Sequence, residues 1–153
     1  MKKLLILLLV SVAFMACNRP SAAEQRRAEK HVRDSIALTE QERSLTYYQS
    51  QLDLLMPQVD SLLPLFRYEK NEKYQDHGYY VATGHNGLRV LVRDDGQPPI
   101  LLYRNGQRVE TATDDAVDRA NHLQILMADV HELEIRIRKT SLEIQKYQKR
   151  LQK

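Results

Sequence analysis

The chain has 153 residues, with 23 lysines and arginines against 20 aspartates and glutamates, and a single cysteine. That length suits one domain of ordinary size, and the near balance of charge excludes a global field that would draw in nucleic acid. One cysteine excludes an internal disulfide, so stability has to come from packing.

At the start, Lys2 and Lys3 precede an apolar stretch of twelve residues from Leu4 to Met15, broken only by Ser11. This is too short to span a bilayer, which takes ~20 residues, so residues 1–16 read as an export signal. Ala16 then precedes the lone Cys17. The Ala16-Cys17 junction resembles the lipobox of bacterial lipoproteins. The resemblance implies that Cys17 is lipidated and becomes the first mature residue, that residues 17–24 are a tether, and that the membrane is a partner. It further implies the outer membrane, because Asn18 is not the Asp that retains enteric lipoproteins at the inner one. No acidic run follows Cys17 to mark surface export, which favours the periplasmic face. Cleavage there leaves 137 residues carrying 21 bases and 20 acids.

Between Pro20 and Thr46 the chain is rich in Ala, Gln, Glu and Arg, which favour helix, although apolar residues are sparse. From Leu38 the pattern sharpens into steps of three and four: Leu38, Gln41, Leu45, Tyr48, Leu52, Leu55, Val59 and Leu62. This is a heptad seam, and it predicts a helix over 25–63 with a kink near Pro57 and a stop at Pro64.

Residues 65–111 are of another kind, holding all five glycines and six of the ten aromatics. Residues 65–69, 79–83, 88–93, 100–104 and 107–110 read as short strands separated by glycine- and asparagine-rich turns, of which Asn105-Gly106 is the strongest hairpin signal. The expectation is an antiparallel meander. Tyr79 and Tyr80 point to opposite faces of one strand, and a tyrosine beside an unpaired sheet edge is a candidate partner contact. His77 and His85 fall in turns, near Asp76, Asp94 and Asp95 in sequence. Carboxylates and imidazoles could converge there on a metal or an acid–base site, but tight turns use Asp, His, Asn and Gly for conformational reasons alone. None of the spacings matches a ligand motif, and Asp94-Asp95-Gly96 lacks the later glutamate of a calcium loop.

Thr113, Asp114 and Asp115 supply helix caps before a second seam. Ala116, Arg119, Leu123, Leu126, Val130, Leu133, Ile137, Thr140, Ile144, Tyr147 and Leu151 keep the three-four spacing, which predicts a helix over 113–153. Charge switches along it: seven acids from Glu110 to Glu134, then seven bases from Arg136 to Lys153. Lys146, Lys149, Arg150 and Lys153 are candidate contacts for anionic headgroups, as a second signal beside a lipid. His31, His122 and His131 have no other ligand at useful spacing and read as surface histidines.

The expected fold class is α+β: two long heptad-patterned helices forming an antiparallel coiled-coil hairpin, with a small antiparallel β-meander inserted at the tip. No catalytic constellation and no cofactor motif is visible, so the expectation is not an enzyme. The expected role is a membrane-tethered binding or scaffolding module of the cell envelope, working with an envelope protein partner. The alternatives are a homo-oligomeric structural coiled coil or a ligand or metal site in the β region.

Overall fold

The structure, a computed structural model, describes residues 21–70 and 78–152. Cys17, Asp76, His77 and Lys153 lie outside the described residues. Its elements are α1 (Ala22–Leu62), a 3-10 turn (Leu63–Leu65), β1 (Arg67–Lys70), β2 (Gly78–Thr83), a second 3-10 turn (His85–Gly87), β3 (Leu88–Arg93), β4 (Leu101–Arg104), β5 (Gln107–Arg108) and α2 (Asp115–Leu151).

The expected architecture needs correction. Two helices and a five-stranded antiparallel sheet are present, in the order β1-β2-β3-β4-β5, but not as a coiled-coil stalk with a separate β tip. Among the described residues, the chain divides into compact units inside the helices: residues 41–70 with 78–143 form one and residues 21–40 with 144–152 the other. The sheet therefore shares a unit with the second half of α1 and most of α2. The reason lies in the small side chains at the start of α2. Ala116 and Ala120 are fully buried against Ala82, Leu88, Val90 and Val92, so the strands lie directly on the helix. A neighbouring cluster joins Val59, Leu123 and Leu126, with Leu55, Leu62 and Val130 packed around it. Phe66 and Tyr80 pack against both clusters and make them continuous.

Within the sheet, alternation decides which side chains enter the core. Leu88, Val90 and Val92 are completely buried, while Arg89 between them points outward. The β4–β5 turn places Asn105 and Gly106 at φ 51° and 79°, the left-handed pair that matches strand twist in a two-residue hairpin. The β3–β4 turn makes a closer approach. Gly96 sits at φ 67°, and a Cβ there would press on the backbone of Met127 and Ala128 in α2. Gln124 Nε2 donates to the Gly96 carbonyl over 3.1 Å, fixing the turn to the helix.

The helix ends are chemically specified. Ser21 Oγ accepts from the Glu24 amide over 3.2 Å, and Glu24 Oε2 accepts from the Ser21 amide over 2.7 Å. This reciprocal capping box starts α1 three residues before the expected position and holds the Glu24 carboxyl below its ordinary pKa, chiefly through the Ser21 backbone bond. α1 runs through Pro57 as one helical segment, so the helix does not end at the position where a kink was expected. Asp53 and Pro57 are exposed, so the carbonyl that proline cannot serve faces solvent, and Gln58 Nε2 donates to the Leu54 carbonyl beside it over 3.1 Å. Pro64 stands in the 3-10 turn that follows the helix.

In the other unit, the first half of α1 and the last turns of α2 are described by themselves. Residues 22–40 contain no buried side chain, and Val32 and Ile36 are 57% and 56% exposed. Ile144 of α2 is buried.

Candidate functional site

The surface feature that stands out is a groove formed by α1 and α2 within the sheet-bearing unit. Leu54, Leu55 and Leu133 give it apolar walls, and Tyr47 and Tyr48 stand at one end. Their rings meet edge to face with centroids 5.8 Å apart. The polar rim is Gln51 and Gln58 from α1, and Asp129, Glu132 and Arg136 from α2. Arg136 is paired with Glu132 one turn earlier, and its guanidinium lies 5.8 Å from the Tyr48 ring centroid. The Glu132 contact, followed by the Tyr48 hydroxyl, raises the Arg136 pKa. Tyr47 and Leu54 are 59% and 64% exposed. Folding leaves these two large side chains in water because they stand two positions after the seam residues Leu45 and Leu52, facing away from the buried side. Leucines and tyrosines interleaved with polar and charged side chains, two of the large ones exposed, have the composition of a protein-docking surface.

The expected contact residues Tyr79 and Tyr80 are placed differently. They lie in β2, an interior strand between β1 and β3, so neither borders an unpaired edge. Tyr80 pairs with Val92 and packs into both core clusters, and burial raises its hydroxyl pKa. Tyr79 pairs with Arg93 on the opposite face and is half-buried. The tyrosine on an edge strand is Tyr68 of β1, 47% exposed, with its ring 5.3 Å from that of Tyr80. Its hydroxyl donates to Asp94 Oδ2 over 2.9 Å, which raises its pKa.

Among the described residues, His85 does not converge with Asp94 and Asp95. Asp94 Oδ2 also accepts from the Gly78 amide over 2.7 Å, tying the β3–β4 turn to the start of β2. Asp95 receives Arg93 at 3.0 and 2.5 Å and accepts from the Gln97 amide, so it holds the same turn. His85 stands at the other end of β3, ~20 Å away along a six-residue strand. There its amide and Nδ1 meet Asp114 Oδ2 at 2.7 and 3.2 Å, while Asp114 Oδ1 accepts from the Ala116 amide at 2.9 Å. Asp114 is therefore the N-cap of α2 and the clamp on the β2–β3 turn. The Ala116 amide, then that of His85, holds its carboxyl below the usual value. Among the described residues, no group of three or more His, Cys, Asp or Glu is arranged to hold a metal ion.

Lys146, Lys149 and Arg150 are exposed on the last turns of α2, with the Arg150 guanidinium 5.3 Å from the Tyr147 ring centroid. His122 is exposed and His131 half-buried on α2, and His31 is exposed on α1. Among the described residues, no helix is long and apolar enough to cross a membrane. Comparison with known protein families, curated proteins and solved structures finds no match to this chain.

Sequence reasoning looked for the contact surface in the β region and passed over the groove. A signal was present. Tyr47 and Leu54 are large apolar residues seven apart and offset from the seam, a second line on the same helix that the seam cannot bury.

Proposed function

We propose that this protein is a lipid-anchored binding module of the cell envelope, tethered through Cys17 to the periplasmic face of the outer membrane, which presents the α1–α2 groove to an envelope protein partner. The single observation that supports the docking surface is the pair of exposed anchors, Tyr47 and Leu54, along a groove lined by both apolar and polar side chains. The lipobox-like start supports the anchor. The exposed bases Lys146, Lys149 and Arg150 suit a second contact with anionic headgroups. The partner that fits is an amphipathic helix. Its apolar stripe would lie on Leu54, Leu55 and Leu133, and a basic flank would face Asp129 and Glu132, which outnumber the single rim cation.

The test places a photo-crosslinking side chain at Tyr47 or Leu54 in the full chain, expressed in its own membranes, with Asp60 as an exposed control elsewhere on the same helix. The expected result is one discrete protein adduct from both groove positions, absent at Asp60 and weakened by Asp129→Lys. Equal adducts at all three positions, or adducts between copies of the chain alone, overturn the adaptor reading. Labelling with radioactive palmitate checks the anchor separately: label incorporated by the wild type should vanish in Cys17→Ala.

A further inference from the structure

A surface of another kind lies on the sheet, where the backbone makes it. Among the described residues, β1 pairs with β2 on one side and with no strand on the other. The ladder fixes which of its backbone groups face outward. The Asp94 amide donates to the Gly78 carbonyl, and the Gly84 amide to the Leu88 carbonyl, so the even-numbered residues of β2 bond to β3. Tyr79 and Val81 therefore bond to their partners in β1, Glu69 and Arg67. That leaves the N–H and C=O groups of Tyr68 and Lys70 pointing away from the sheet, beside the exposed Tyr68 ring.

We propose that this edge pairs with the same edge of a second copy, antiparallel and centred on Tyr68, so that the two sheets join across a two-fold axis. The inference goes beyond the groove reading and does not depend on it. Outward groups have to meet outward groups, so an axis that lets the strands overlap along most of their length passes beside Arg67, Tyr68 or Glu69. An axis at Arg67 sets arginine opposite arginine, and one at Glu69 sets glutamate opposite glutamate. Like charges directly opposite are destabilising. The axis at Tyr68 instead places Arg67 of each copy opposite Glu69 of the other, twice, and Tyr68 donates to and accepts from its counterpart. Lys70 donates to the Phe66 carbonyl across the axis, and the Phe66 amide keeps its own acceptor, the Leu63 carbonyl.

Glu69 is not a free charge within one copy. Its Oε1 accepts from Arg67 Nε over 3.1 Å, and its Oε2 from Arg89 over 2.7 Å. Pairing extends this network without breaking it, because a carboxylate has lone pairs, and a guanidinium N–H groups, beyond those that these contacts use. The Arg67 side chain is 79% exposed and open to a second partner. A strand of other sequence would need an acid opposite Arg67 and a base opposite Glu69, two residues apart. A second copy of β1 carries both at that spacing. The strand has four residues, so the contact is smaller than the ~1,200 Å² at which standard interfaces begin. Association is therefore weak in free solution and is best read by trapping it on membranes.

The experiment co-expresses two differently tagged full-length chains, Arg67→Cys and Glu69→Cys, and oxidises isolated membranes with a mild catalyst. The wild type, whose sole cysteine is Cys17, sets the background. In the proposed register the new cysteines form a non-hydrogen-bonded pair with Cα atoms ~4.5 Å apart, within disulfide reach, whereas like positions are ~7–8 Å apart. The expected result is a mixed disulfide at least about fivefold more abundant than either self-disulfide. Adding Lys70→Pro to both chains should abolish it, because proline removes an outward N–H and costs the chain's own sheet no bond. Circular dichroism checks that the Lys70→Pro chain is folded. A second readout puts a photo-crosslinking side chain at Tyr68. Its adduct between copies should fall when Glu69→Arg is added, and recover when Arg67→Glu is added as well. Dominant self-disulfides, or a mixed disulfide indifferent to Lys70→Pro, would overturn the proposal. So would crosslinking at background, or an adduct at Tyr68 with a different protein alone, which would give the edge to a foreign strand. None of these results bears on the adducts at Tyr47 and Leu54, so either proposal can fail alone.

Discussion

The starts of the two helices behave differently. Early in α2, Ala116, Ala120 and Leu123 have no solvent exposure, whereas residues 22–40 of α1 include no buried side chain. Both stretches are helical, but for different physical reasons. The start of α2 is held by tertiary burial: strands lie on its alanines, Val59 and Leu62 pack near Leu123, and Asp114 caps it while binding the β2–β3 turn. The start of α1 is held by local terms, namely good helix formers, the Ser21–Glu24 capping box and its continuation into a helix that is anchored further along. Periodicity reports which side of a helix is apolar. Whether that side is covered depends on what the rest of the chain brings to it.

Substitutions should separate the two regions sharply. Leu123→Ala removes a fully buried side chain from the cluster shared with Val59 and Leu126, and should cost about 3 kcal/mol in urea unfolding. Val32→Ala, at an exposed position in a helix that alanine favours, should change global stability by less than about 0.5 kcal/mol. Similar losses at the two positions would break the comparison, because the first half of α1 would then be as tightly packed as α2. The next effect in size is at the turns. Gly96→Ala combines positive φ with a Cβ pressed on the α2 backbone, and should cost about 2 kcal/mol or more. Gly106→Ala shares the positive φ but meets no atom within 4 Å, so about 1 kcal/mol is expected from conformation alone. The unfolding midpoints of the two variants measure how much the sheet depends on its close approach to α2.

Much of the local structure was legible because its causes are local. The strands at Gly78–Thr83 and Leu88–Arg93 follow from alternation and bounding turns, and the caps at Asp114 from residue chemistry. The arrangement was not legible, because it turns on side-chain size at particular contacts. Ala116 and Ala120 count as seam or near-seam residues in a heptad reading, yet their smallness is what admits the sheet and moves the compact division into the helices. Tyr80 shows the same limit. A strand tyrosine looks equally suited to docking or to packing; Tyr80 is drawn inward because it shares a strand face with Ala82 and packs on the clusters around α2, while β1 closes the edge beside it. The groove was missed for the converse reason: Tyr47 and Leu54 fall outside the seam, and attention to the seam hid them.

The smallest expected effect tests the clamp at the start of α2 and changes with pH. The Asp114 side chain is 5% exposed, and the amides of Ala116 and His85 favour its charged form, which lowers its native pKa below the ordinary 3.8. The unfolded chain therefore binds this proton more readily than the native one. The contribution is fully present above the ordinary aspartate pKa and is lost as pH falls through the lower native value. Asp114→Asn keeps an oxygen that can accept from the Ala116 amide, since asparagine is also a good N-cap, but removes the titration. At pH 7 the variant should be less stable than the wild type, because its single amide oxygen cannot also accept from the His85 amide, and the difference should close as pH falls. Between about pH 5 and pH 2 its stability should fall less steeply, because one proton fewer is taken up on unfolding. Parallel acid limbs for the two proteins would mean that the carboxylate's charge contributes nothing. The firm seating of the sheet on α2 would then rest on the alanine and leucine packing alone.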